Sequence, residues 1–210
     1  MSSLIISPLL PFDIINEISG GQFLSIIYTE NIGRDIGPFI FDLNKKFNID
    51  KYDVIGHFHG KKSIHMGRGH SYIWMKYLLE NLIGNSNYIE NILCSFLDDV
   101  GLIFVDEQNA MDIGKNGLLV SELCDMLKIK TISETPVFPV GNMFWARPAA
   151  IRQLFLLNPD LILKKEPLQN DGTFLHAIER ITPHLVDSNG YRSIILKPTS
   201  LRTNYAIGKI

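Results

Sequence analysis

The run Val100–Asp106, VGLIFVD, is apolar until it closes on a carboxylate. A strand of this kind presents apolar side chains to both faces, so both must be covered. That is the position of an interior strand in a layered α/β sheet. The covering helices lie on either side. Upstream, SYIWMKYLLENLIG (Ser71–Gly84) and NYIENILCSFLDD (Asn87–Asp99) have helical apolar spacing, the first closed by Gly84 and the second begun near Asn85 to Asn87. Downstream, GLLVSELCDMLKI (Gly117–Ile129) has the same spacing. Further out, FLSIIYTEN (Phe23–Asn31), YDVIGHF (Tyr52–Phe58) and YRSIILKP (Tyr191–Pro198) read as strands. GNMFWARPAAI (Gly141–Ile151) reads as a strand that turns at Pro148 into the helix AAIRQLFLL. IGPFIFDLNKKF (Ile36–Phe47) reads as a helix with Pro38 in its first turn, and DGTFLHAIERITPHLV (Asp171–Val186) as a last helix that Pro183 is expected to bend or end. Strands alternating with helices predict one α/β domain over 1–210, a layered, mostly parallel sheet flanked by helices.

Composition narrows the partners. With 46% hydrophobic and 20% charged residues, the 210-residue chain can bury a sizeable core. A net charge of -2 gives no general attraction to nucleic acid or anionic lipid, so anion binding must be local. Cys94 and Cys124 lack CxxC spacing, sit in apolar-periodic segments and read as two buried free thiols in a reducing compartment. No apolar run reaches the ~18 residues of a membrane span, and the N-terminus lacks the charged start of a signal peptide, so a soluble cytoplasmic protein is expected. A free enzyme and one docked at the inner face of the membrane read alike.

Layered sheets carry their sites at the carboxyl ends of strands. Polar clusters fall there at Asn31–Asp35, His57–His65 and Asp106–Asn109. Arg34 and Asp35 sit on a Gly-flexed turn that opens a helix, which suits an anion and equally suits an Asp cap beside a solvated Arg. In HFHGKKSIH (His57–His65), His57 and His59 share a strand face, but a zinc site needs three or four ligands and no Cys or second HxH lies near. An anion site fits better, with Gly60 admitting the ligand, Lys61 and Lys62 as point charges and Ser63 as a donor; a solvated basic turn is the plainer alternative. FPVGNMFWARP places Trp145 and Arg147 beside a Gly141–Asn142 bend, and a Trp there is either core or the floor under a sugar ring. Asp171 opens the last helix as a cap or as a general base, with His176 and Glu179 within about a turn or two of it.

Taken together, NIGRDIGPFI, YDVIGHFHGKKSIH, the Trp74 helix with LLENLIG, FPVGNMFWARPAAI and DGTFLHAIERI resemble, in order, the rhamnan synthesis F family of bacterial polysaccharide glycosyltransferases. The likeness runs from Asn31 to Ile181. The family usually shows a lysine where this chain has His57 and a threonine where it has Gly60, and its members commonly carry this region inside a longer glycosyltransferase. The resemblance implies a GT-A-like (Rossmann-like) fold, shortened here, that transfers rhamnose or a similar sugar from a nucleotide-diphosphate donor to a glycan or lipid-linked glycan. It implies donor contacts from Asn31, Gly33, Arg34, Asp35, His59, Lys61, Lys62 and Ser63, acceptor contacts from Asn142, Trp145 and Arg147, and acid–base chemistry at Asp171, His176 or Glu179. The usual DxD metal motif has no counterpart in HFHGKKS, so no metal or other cofactor is expected beyond the nucleotide sugar, and the lysines take over charge stabilisation. The competing expectation is a non-catalytic nucleotide-sugar or carbohydrate-binding module that assists a partner glycosyltransferase.

Overall fold

A computed structural model of the chain describes residues 2–6, 24–30, 32–60, 67–96, 99–106, 112–130, 132, 135–164 and 168–197. In chain order its elements begin with β1 (Ser2–Ile6), β2 (Leu24–Tyr28), a π-helical turn (Pro38–Asp42) that runs into α1 (Leu43–Lys46), and β3 (Ile55–His57). Next come α2 (Gly67–Leu82), α3 (Ser86–Cys94), β4 (Val100–Val105), a 3-10 turn (Gly114–Asn116) and α4 (Gly117–Leu127). The chain continues through β5 (Phe144–Ala146), a 3-10 helix (Pro148–Leu156), α5 (Pro159–Ile162), α6 (Phe174–Ser188) and β6 (Arg192–Leu196). It divides into two compact units, Met1–Lys51 with Gln153–Gln169, and Tyr52–Arg152 with Asn170–Ile210.

In the first unit β1 and β2 pair in parallel from Ser2↔Leu24 to Ile6↔Tyr28. Strand β1 is absent from the sequence expectation. Pro38 stands in the first helical turn, where its missing N–H costs nothing, and Phe39, Ile40 and Phe41 behind it are buried. The Phe39 ring meets Phe155 at 5.4 Å between centroids, and Asn44 Nδ2 donates to Phe155 O at 3.3 Å.

The second unit is built on a four-stranded sheet in the order β3-β5-β4-β6. Strand β4 is the centre, its six residues buried, as the unbroken apolar run requires. The α/β architecture is as expected, but the sheet is mixed rather than mostly parallel: β5 runs antiparallel to both β3 and β4, and only β4 and β6 are parallel. The reason lies in the connection after β4. Phe104 pairs with Phe144 and Leu102 with Ala146, so the chain leaves β4 and re-enters β5 at the same edge without crossing the sheet. The register shifts at Gly101, where a Cβ would lie 2.6 Å from Tyr191 Cβ and 2.7 Å from Ala150 Cβ. Only glycine lets the backbones come this close.

Helix boundaries follow local chemistry. Asn85 caps α3 by accepting from Tyr88 N at 3.0 Å. Cys94, the last residue of α3, is exposed rather than buried, whereas Cys124 on α4 is buried as expected. Helix α6 buries Leu175, Ile178, Ile181, Leu185 and Val186, a stripe at i, i+3 and i+4 spacing. Pro183 does not end α6, which continues to Ser188; a proline removes one ladder hydrogen bond, and burial of the stripe on both sides offsets that loss. After β5 the chain forms a 3-10 helix rather than an α-helix, kinked at Ile151 (φ -122°, ψ 15°). No helix among the described residues is long and apolar enough to cross a membrane.

Candidate functional site

Within the second unit, the sheet edge where β3 and β4 end and β5 begins holds a tight bend. Asn142 N donates to Pro139 O at 2.7 Å, and Gly141 at the third position of this turn has φ +87°, the pattern of a type II turn. Asn142 follows at φ +56°, an uncommon conformation for a residue with a side chain. Three titratable side chains hold the bend. His57, buried at the end of β3, donates from Nδ1 to Asn142 O at 2.7 Å. His59 donates from Nε2 to Gly141 O at 2.8 Å, and the two imidazoles stand 5.5 Å apart. Glu179, on α6, accepts Gly141 N–H on Oε1 at 2.5 Å. Because a carbonyl oxygen only accepts, these contacts assign a proton to Nδ1 of His57 and to Nε2 of His59.

Glu179 has a buried cation beside it. Its Oε2 lies 3.7 Å from Arg180 Nη1, and Arg180 is 4% exposed. That guanidinium donates to His176 O at 2.9 Å and to Asp112 O at 3.2 Å, and it lies 4.8 Å from the centre of the Phe138 ring. A buried arginine so fully donated rigidifies the first turns of α6.

The loop entering α6 carries the second cluster. Thr173, not Asp171, caps the helix: its Oγ1 accepts from His176 N at 3.4 Å and is hydrogen-bonded to His176 Nδ1 at 2.8 Å. Asp171 is engaged elsewhere. Its Oδ2 accepts from Lys115 N at 3.0 Å and its Oδ1 from Asn116 Nδ2 at 2.6 Å. Partial burial pushes the Asp171 carboxyl up, but the Lys115, Asn116 and Gly172 donors and the Arg180 charge outweigh it and leave the group below its ordinary value. Asp171 is therefore ionised at neutral pH. Such a carboxylate can accept a proton without first losing one.

The remaining expected site residues separate. Trp145 Nε1 donates to Leu82 O at 2.8 Å, and its ring meets Phe58 edge-on at 4.9 Å, so it packs as core and ties β5 to α2. Arg147 lies at the opposite end of β5, donating to Val100 O at 3.2 Å and Phe96 O at 2.8 Å, with its guanidinium 5.8 Å from the Tyr191 ring centre. The structure does not bring it together with Asn142. In the first unit, Arg34 (φ +53°) follows Gly33 and donates to Gln169 O at 3.0 Å, and Asp35 O accepts from Phe39 N at 3.3 Å as the helix begins. Asn31, Lys61, Lys62, Ser63 and His65 lie outside the described residues. Asn116, fully buried, and Arg180, buried on α6, are not among the site residues expected from sequence; GKNG at Gly114–Gly117 looks like an ordinary turn.

The family model for rhamnan synthesis protein F matches residues 14–191, and the chain belongs to that family. It is 32% identical over 181 residues to the uncharacterized protein WxcX of Xanthomonas campestris pv. campestris strain B100, covering 81% of this chain and 25% of the relative. WxcX of strain ATCC 33913 is 31% identical over 180 residues, with the same coverage. The chain thus spans about a quarter of the length of these curated relatives. No solved structure matches.

Proposed function

We propose that this chain is a glycosyltransferase domain of polysaccharide synthesis, with a GT-A-like fold, that moves rhamnose or a similar deoxyhexose from a nucleotide-diphosphate donor to a glycan or lipid-linked glycan of a cell-surface polysaccharide. Membership of the rhamnan synthesis protein F family supports the pathway class. The observation that carries the reaction type is the Asp171 carboxylate, kept ionised by two N–H donors on the loop into α6, the helix that also brings Glu179 to the His59 bend. In the proposed step the acceptor oxygen bonds to the anomeric carbon as that carbon's bond to the diphosphate oxygen breaks. Asp171 takes the acceptor proton, and His176 and Glu179, whose side chains bond Thr173 and Gly141, stand as the alternative acid–base groups.

A divalent ion on the diphosphate would need a carboxylate pair at a strand end. The end of β3 presents His57 and His59, whose nearer ring nitrogens close on backbone carbonyls, rather than a carboxylate pair, and the proposed step runs through no metal. Lys61, Lys62 and Ser63, with His59, are proposed to meet the leaving diphosphate directly. Trp145 and Arg147 are left to the scaffold, and Asn142 remains the acceptor-side candidate. The proposed location is the cytoplasm, at the inner face of the membrane where lipid-linked acceptors are met.

Titrating the purified chain with dTDP-, UDP- and GDP-sugars in the presence of chelator tests this. Binding that survives chelation and weakens by about 1.5–3 kcal/mol in Lys61→Ala or Lys62→Ala is expected. A strict need for manganese or magnesium, with neither lysine mattering, contradicts it. Binding without hydrolysis or transfer would instead identify a carbohydrate- or nucleotide-binding module.

A further inference from the structure

Asn116 is 0% exposed, and every polar atom of its side chain is used. Nδ2 donates to Ile113 O at 2.9 Å and to Asp171 Oδ1 at 2.6 Å, while Oδ1 accepts from Gly172 N at 3.0 Å. Only one orientation of the amide satisfies all three, since exchanging its oxygen and nitrogen would set an NH₂ against Gly172 N–H and an oxygen against two acceptors. One side chain therefore grips both the Asp171 carboxylate and the peptide that follows it. Lys115 N, the backbone donor just before Asn116, takes the other carboxylate oxygen at 3.0 Å. The carboxylate plane is thereby set from both of its oxygens.

We propose that Asn116 is a positioning residue for sugar transfer, which fixes the orientation and the charge state of the Asp171 carboxylate from the buried start of α4. The proposal rests on the transferase reading above. A buried amide can play a purely structural part, by joining the Gly114–Asn116 turn to the loop before α6. Two features exceed that need. Joining the backbones requires only the Ile113 and Gly172 contacts, yet the shortest of the three bonds goes to the side chain that is to take the proton. And the hydrogen-bond partners of the carboxylate among the described residues are neutral N–H groups, which hold it ionised without transferring a charge to it. The hydrogen bonds also account for the direction in which Asp171 is displaced from its ordinary value.

The test reads Asp171 itself. In the parent protein, the Asn116 side-chain amide protons should follow the Asp171 carboxyl carbon through one shared midpoint in an NMR pH titration. Asn116→Asp keeps the shape but sets a second carboxyl against Asp171 Oδ1, so the Asp171 midpoint should rise. The acid limb of kcat/KM should move up with it, kcat should fall about 10–100-fold, and KM for the donor should change little. Asn116→Ala should shift the midpoint in the same direction. An Asn116 amide that ignores the Asp171 midpoint in the parent, or an Asn116→Asp protein with the parental acid limb, overturns the positioning role alone. A parent that neither hydrolyses nor transfers from any of the nucleotide sugars overturns the transferase reading and the role with it.

Discussion

The two ends of β5 look alike in sequence and differ in the fold. At the Arg147 end, one arginine closes on Val100 O and Phe96 O and covers a tyrosine ring. Every contact there serves packing. At the Asn142 end, His57, His59 and Glu179 converge on two consecutive residues, Gly141 and Asn142, that both hold positive φ. Side chains that converge on a positive-φ bend make it the candidate site, whereas a cation paired with helix- and strand-end carbonyls braces the scaffold. Polar residues at a strand end are thus a weak guide until it is known what their polar atoms face.

Removing Arg147 should produce the largest change in stability. Arg147→Ala takes charged donors from two carbonyls and should lower unfolding free energy by about 2–3 kcal/mol, while nucleotide-sugar affinity of the folded fraction stays at the parental value. A specific loss of acceptor affinity without destabilisation would erase the contrast between the two ends. At the other end, Glu179→Gln keeps an oxygen for Gly141 N–H but removes the charge beside buried Arg180, so unfolding free energy should fall by about 1–3 kcal/mol and turnover per folded molecule should fall as well. A variant as active as the parent would make Glu179 pure scaffold. The first unit offers a smaller effect: Arg34→Ala removes a half-exposed contact to Gln169 O and should stay within about 0.5 kcal/mol of the parent in stability, so a weakened donor titration would point to the ligand.

A pH dependence lies outside both ends. Burial pushes His184 on α6 below its ordinary value, opposed by Asp187, and its buried Nε2 has no hydrogen-bond partner among the described residues. The native state thus prefers the neutral ring. Its contribution is present above the unfolded value of about 6.5 and is lost as pH falls from there through the lower folded value. Thermal melts should drop over that window in the parent and less steeply in His184→Leu. Equal slopes would show that His184 does not control it.

Much of this fold could be read from local pattern. The β4 run, the α3 cap at Asn85 and the apolar stripe of α6 are all set by neighbours in sequence. The mixed sheet was not legible, because whether a connection crosses the sheet depends on where it returns, and no local spacing records that. Strand β1 escaped because its apolar run, Leu4–Ile6, is three residues long. In the site, Glu179, His59 and Asn142 were named from sequence and do meet at one bend. Asp171 was named for the right segment, but its cap role belongs to Thr173. Asn116 was invisible because its meaning comes from a partner 55 residues away.

Asp171→Asn tests the central claim most directly. Asn can keep the acceptor oxygen for Asn116 Nδ2 but sets an NH₂ against Lys115 N–H, so a stability loss of about 1–3 kcal/mol is expected whatever the function. What decides is turnover per folded molecule, followed as nucleotide diphosphate released with donor and acceptor present. A general base is worth ~10²–10⁴-fold, so a fall of at least about 10², with donor affinity kept, is the predicted result. Near-parental turnover would contradict it and reduce Asp171 to a brace between the Gly114–Asn116 turn and the loop into α6.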